Sequence, residues 1–134
     1  MLTIPTAPFA EHRVIAYIES FVGRCKDCAL TRDEAGNVRV HFHRPGRAVA
    51  RPVCITAHTD HPGFVSDAMS GRKRLRAMWR GWVPPELFVG TKVRFFVEDR
   101  WVRGQVKSIK TAVKAGRKRV DTATIEVESP VPPR

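Results

Sequence analysis

The chain has 134 residues, 43% of them hydrophobic, which is enough for one domain with a core and too apolar for a disordered segment. No apolar run is long enough to span a membrane, and the start Met1-Leu2-Thr3-Ile4-Pro5 lacks a basic region followed by an apolar core. Three cysteines in no disulfide-framework spacing suit a reducing compartment, so a cytoplasmic protein is expected. The net charge is +11, and it is concentrated: residues 66–119 hold 15 Lys/Arg against 4 Asp/Glu. Such a field draws nucleic acid, anionic surfaces or acidic substrates, unless it is simply a solvated face.

The first predicted element is a helix. Pro8 suits an early helical position, Val14, Ile15, Ile18, Phe21 and Val22 recur at helical spacing, and Gly23 is a stop signal. Ala29–Arg32 and Asn37–His43 follow as strands, separated by the turn chemistry of Asp33-Glu34-Ala35-Gly36. Val38, Val40 and Phe42 alternate with Arg39, His41 and His43, which predicts one buried and one wet face. Arg44-Pro45-Gly46-Arg47 reads as a loop. Arg51-Pro52 then leads into Val53-Cys54-Ile55, predicted as a buried strand ending at His58. Helix, hairpin and central strand together read as the opening of an α/β layer over residues 1–65.

After Gly63 the pattern becomes all β. Phe64-Val65 is expected to pair with Leu75–Trp79 around Ser70-Gly71. Val93–Val97 and Trp101–Ile109 are separated by Glu98-Asp99-Arg100, and Thr122–Val127 closes the series. Short strands, turns between them and no helical period predict a small closed or half-closed β-barrel over residues 66–128. Residues 129–134, Ser-Pro-Val-Pro-Pro-Arg, read as an exit linker.

Three groups of residues carry candidate chemistry. His58 and Asp60 stand two apart at the predicted strand end, so they lean to one side. A neutral imidazole is a common zinc ligand and a nearby carboxylate can fix its tautomer, so this pair reads as part of a metal site. Cys25, Cys28, His41 and His43 have a ligand set like that of a zinc finger, although the His spacing is wrong for a finger helix. Small apolar cysteines and wet-face histidines are the simpler reading of those four. Finally, Arg72, Lys73, Arg74, Arg76 and Arg80 alternate with Met78, Trp79 and Trp82, and Lys114, Arg117, Lys118 and Arg119 surround Gly116. A basic groove with stacking aromatics would suit single-stranded nucleic acid, with Arg72, Lys73, Arg74, Trp79 and Lys118 as contacts. The competing reading places Trp79, Trp82, Phe95, Phe96 and Trp101 in the barrel core and lid.

A resemblance bears on these readings. Pro5-Thr6-Ala7-Pro8-Phe9-Ala10-Glu11, Asp33-Glu34-Ala35-Gly36-Asn37-Val38 and Ala57-His58-Thr59-Asp60-His61-Pro62-Gly63-Phe64-Val65 resemble the N-terminus of the glutamyl and deblocking aminopeptidases. Those are two-zinc metallopeptidases, some of which build tetrahedral particles. Gly81-Trp82, Leu87-Phe88-Val89-Gly90-Thr91-Lys92-Val93 and Val102-Arg103-Gly104-Gln105-Val106 resemble the β-barrel inserted into that phosphorylase/hydrolase-like catalytic domain. The resemblance implies His58 as a ligand of one zinc (or another divalent metal such as cobalt). It implies Asp60 as the catalytic-site residue that holds the imidazole, and Asn37 as a turn residue without chemistry. His61 departs from the family, which usually has Glu there. The remaining ligands, the bridging carboxylate and the general base of that family lie beyond the barrel insert. The expectation is therefore an N-terminal fragment or truncated relative that is inactive alone. Its peptide substrate would require the complete form, and its partner would be the missing catalytic half or a second copy.

Overall fold

The structure is a computed structural model that describes residues 3–43, 45, 46 and 51–133. It divides into two compact units, Met1–Thr6 with Ala10–Thr59 and Ala7–Phe9 with Asp60–Arg134.

The first unit contains helix α1 (His12–Val22) and a hairpin of β1 (Cys28–Arg32) and β2 (Val38–Phe42). The helix buries Val14 and Val22, and its chain turns away at Gly23, whose N–H donates to the Glu19 carbonyl at 2.9 Å. The antiparallel hairpin sets Cys28 opposite Phe42 and Arg32 opposite Val38. Its turn is built by Asp33. One carboxylate oxygen accepts the Asn37 backbone N–H and the other accepts the Asn37 side-chain amide, each at 2.8 Å, and Gly36 takes the left-handed φ of 85° that the turn needs. Arg32 pairs with Glu19 at 2.5 Å, but both side chains are largely exposed, so the pair contributes about 0–1 kcal/mol.

Two expectations for this unit fail. Val53-Cys54-Ile55 forms no strand, and Val53 and Ile55 are 87% and 90% exposed. The hairpin face expected to be buried is open too, with Val40 exposed and Phe42 at 68%. The cause is shared. Side chains with sheet chemistry are present, but neither a second layer nor a neighbouring strand covers them among the described residues. The expected loop at Arg44 and Arg47 lies outside the described residues. Among the described residues the first unit is thus a helix and a two-stranded hairpin, without the central strand that an α/β opening requires.

The second unit is a curled five-stranded half-barrel: β3 (Gly63–Met69), β4 (Arg74–Arg80), β5 (Lys92–Val97), β6 (Arg100–Lys114) and β7 (Arg117–Val127). The order is β3-β4-β7-β6-β5, with every pair antiparallel. The expected pairing of Phe64-Val65 with Leu75–Trp79 is present, with Phe64 opposite Trp79. Irregularities between Ser66 and Ala68, Val106 and Ser108, and Lys110 and Thr111 bend the strands, which is how a sheet curls toward closure. Two-residue turns with positive φ join β5 to β6 (Glu98 46°, Asp99 60°) and β6 to β7 (Ala115 50°, Gly116 71°), the handedness that matches strand twist.

Alternation on these strands sends one set of side chains inward. Leu75, Ala77, Val102, Val106, Val120, Ala123, Ile125 and Val127 form the core with Phe88, Phe95 and Val97. Gly104 permits a close approach within it. A Cβ there would lie 2.9 Å from both the Glu126 carbonyl oxygen and Ile125 Cγ2. One end of the core is aromatic: Phe64, Trp79 and Phe88 pack edge to face, with ring centroids 4.7–5.8 Å apart. The segment expected to be an exit linker instead contributes to this core. Val131 is only 2% exposed, and the Ser66 hydroxyl donates to the Pro132 carbonyl at 2.7 Å. Its apolar residue sits between prolines whose missing N–H groups leave fewer donors to satisfy on burial.

Leu75→Ala should destabilise the second unit by about 2–5 kcal/mol and Val131→Ala by about 2 kcal/mol. Urea unfolding followed by tryptophan fluorescence measures both. An unchanged midpoint for Val131→Ala would mean that the tail is not part of the core.

Candidate metal ligands and the basic face

His58 is exposed and Asp60 half-buried, and neither lies in a strand. The division between the two units falls between them, at Thr59 and Asp60. The inward-facing strand end that was to present both side chains is therefore absent. A structural or catalytic zinc takes three or four protein ligands. Among the described residues no three His, Cys, Asp or Glu gather so that they could hold a metal ion, so these residues do not fit a zinc ion by themselves.

The Cys/His set fails for a geometric reason. Cys28 lies opposite Phe42, while His41 lies opposite Ala29, and facing residues of an antiparallel pair share a side of the sheet. His41 therefore projects to the opposite side from Cys28. His41 and His43 do share a face, with rings 6.2 Å apart and 12° from parallel. Partial burial, and then the neighbouring Cys25 thiol, push the Cys28 thiol above its ordinary value, which disfavours the thiolate that metal binding or nucleophilic attack requires.

The proposed oligonucleotide contacts are scattered. Trp79 is half-buried in the aromatic end of the core, packed edge to face with Phe64 and Phe88. Lys118 lies opposite Val113 and has the parity of Val120, so it projects to the side of the arm opposite Arg119, where both Lys118 and Val113 are exposed. Arg74 lies opposite Glu126 on the outer side, and Arg72 and Lys73 are exposed beside the β3–β4 turn. Trp101 is exposed, with the Arg94 guanidinium 4.1 Å from its ring centre and Phe96 edge to face at 5.1 Å.

What the structure does bring together was not evident from clusters of charge. Arg76, Ser108, Lys110, Thr122 and Thr124 line a shallow cavity of about 340 Å³ with Ala68, Met69, Ser70, Ile109 and Ala123. Arg76 faces Thr124, which faces Ser108, and Thr122 faces Lys110. Arg76 also pairs with Asp67, and Lys107 with Glu126 at 2.9 Å. The available sequence signal was strand parity: Thr122 and Thr124 alternate with core residues Ala123 and Ile125.

No family model matches the chain, and neither a curated protein nor a solved structure does. Among the described residues no helix is long and apolar enough to cross a membrane.

The Asp33 turn yields a pH dependence. The Asn37 side-chain amide and then its backbone N–H hold the Asp33 carboxyl below its ordinary value. The folded carboxyl is thus more acidic than the unfolded one, so its contribution to hairpin stability is complete above the ordinary carboxylate range and is lost as pH falls through the depressed folded value. An NMR titration of the Asp33 carboxyl carbon should show a midpoint below that of an unstructured Asp. Asn37→Ala should move it back up.

Proposed function

We propose that this chain carries the N-terminal portion of a zinc-dependent aminopeptidase of the glutamyl and deblocking type, and that it is not a peptidase by itself. The observation that supports this most directly is the run Val53-Cys54-Ile55. It has the chemistry of an inner strand, leads to His58, and lies exposed with no strand pairing. Apolar, β-prone backbone of this kind is normally paired and covered, so the reading supplies what it lacks: further strands of an α/β sheet. The order of elements agrees, because the half-barrel begins at Gly63, directly after His58 and Asp60. In this reading His58 is one ligand of a metal centre, and Asp60 positions it. The remaining ligands and the base come from a catalytic half supplied by additional polypeptide.

The test compares two preparations. Residues 1–134 alone should show no turnover of aminoacyl-anilide substrates with zinc or cobalt added. The same residues expressed with whatever their coding frame continues into should hydrolyse those substrates, and His58→Ala there should lower the rate by at least about 100-fold, as loss of a metal ligand does. Robust turnover by residues 1–134 alone, or full activity of the His58→Ala form, would contradict the proposal.

A further inference from the structure

The longest pairing in the second unit runs beyond its neighbours. β5 covers β6 only as far as Gln105, and β4 covers β7 only from Thr122 onward. From Thr111 to Lys114 and from Arg117 to Val120, the two strands pair with each other alone, so they form a two-stranded arm. Residues 107–120 contain six Lys/Arg and no Asp/Glu. Parity assigns the sides of this arm. Val120 is buried in the core, so Arg119 projects to the outer face, and Arg117 follows it two residues on. Ala123 and Ile125 are buried, so Thr122 and Thr124 also project outward, together with their partners Lys110 and Ser108. The outer face thus joins the shallow cavity, with Lys110, the Asp67-paired Arg76 and the hydroxyls of Ser108, Thr122 and Thr124, to a basic row at Arg119 and Arg117. The Arg119 Nε is buried and has no hydrogen-bond partner.

We infer that this outer face binds the phosphodiester backbone of double-stranded nucleic acid, independently of sequence. The chemistry is that of phosphate contacts, which come from Arg, Lys, Ser and Thr side chains. A two-stranded ribbon also fits a duplex groove, since the major groove, about 12 Å wide, admits one. No aromatic side chain lines the cavity. That separates this face from single-strand platforms, which add base stacking to charge. It also explains why the segment's positive charge does not require Trp79 as a contact. The inference stands independently of the peptidase reading, because neither His58 nor Asp60 takes part.

Fluorescence anisotropy with a labelled duplex of about 20 base pairs, titrated across salt from about 50 mM upward, tests it. The wild-type chain should bind with affinity that falls steeply with salt. Lys110→Gln/Arg117→Gln/Arg119→Gln should bind at least about tenfold more weakly, with a salt slope smaller by about 1 per cation removed. Arg72→Gln/Lys73→Gln removes exposed charge beside the β3–β4 turn and should change binding far less. Lys110→Gln alone, with its melting temperature measured, keeps the test valid should the triple variant fail to fold, and it should reduce the slope by about 1. Absence of duplex binding at low salt would overturn the inference. So would equal loss in the Arg72/Lys73 variant, tighter binding of single strands than of duplex, or complete competition by polyglutamate at equal charge.

Discussion

The second unit depends on the contact between β6 and β7. This hairpin is the centre of the sheet, carrying β4 and then β3 on one side and β5 on the other. The close approach of its strands at Gly104 lets Val102, Val106, Ile125 and Val127 pack as one layer. The layer then gives Leu75 and the aromatic group at Phe64, Trp79 and Phe88 a surface on which to close. Burial of apolar area at about 25 cal/mol per Å² stabilises this unit far more than its surface ion pairs, which are worth about 0–1 kcal/mol each. The bulges add curvature without adding residues to the core, and the C-terminal stretch around Val131 fills space that a five-stranded sheet leaves open.

How much of this the sequence reveals depends on where the signal is local. Helix α1, the Asp33–Gly36 turn, the pairing across Ser70-Gly71 and the Glu98-Asp99 turn were legible, because spacing and turn chemistry act over a few residues. Burial of the Val38, Val40 and Phe42 face was not, because alternation states which side chains could be covered and not whether a cover exists. Val53-Cys54-Ile55 shows the same limit more sharply: composition gave it strand character, and pairing partners decided otherwise. The proline-rich tail misled in the other direction. Its composition suggests a linker, yet one valine between prolines is enough to seat it.

Candidate sites were harder to read than elements. His58 and Asp60 were recognisable as residue types, but ligation needs partners from distant positions, and spacing does not supply them. The Cys/His set failed on register, since Cys28 and His41 lie on opposite sides of one hairpin. The basic segment was visible as a charge count, but its division between faces was not. A bulge between Lys110 and Thr111 shifts the parity of β7, and only the observed pairing shows that Arg119 falls in line with Thr122 and Thr124 while Lys118 falls opposite.

The open stretch at Val53-Cys54-Ile55-Thr56-Ala57 has a further consequence for handling. It is a short window of high strand propensity without charge, the pattern that seeds intermolecular cross-β assembly when left uncovered. Arg51 and Pro52 at its head act as gatekeepers: the charge repels a like chain in register, and the imide removes one donor from any ladder started there. Together with the overall +11 charge, they oppose self-templated stacking most effectively at low ionic strength, and concentrated salt weakens that protection.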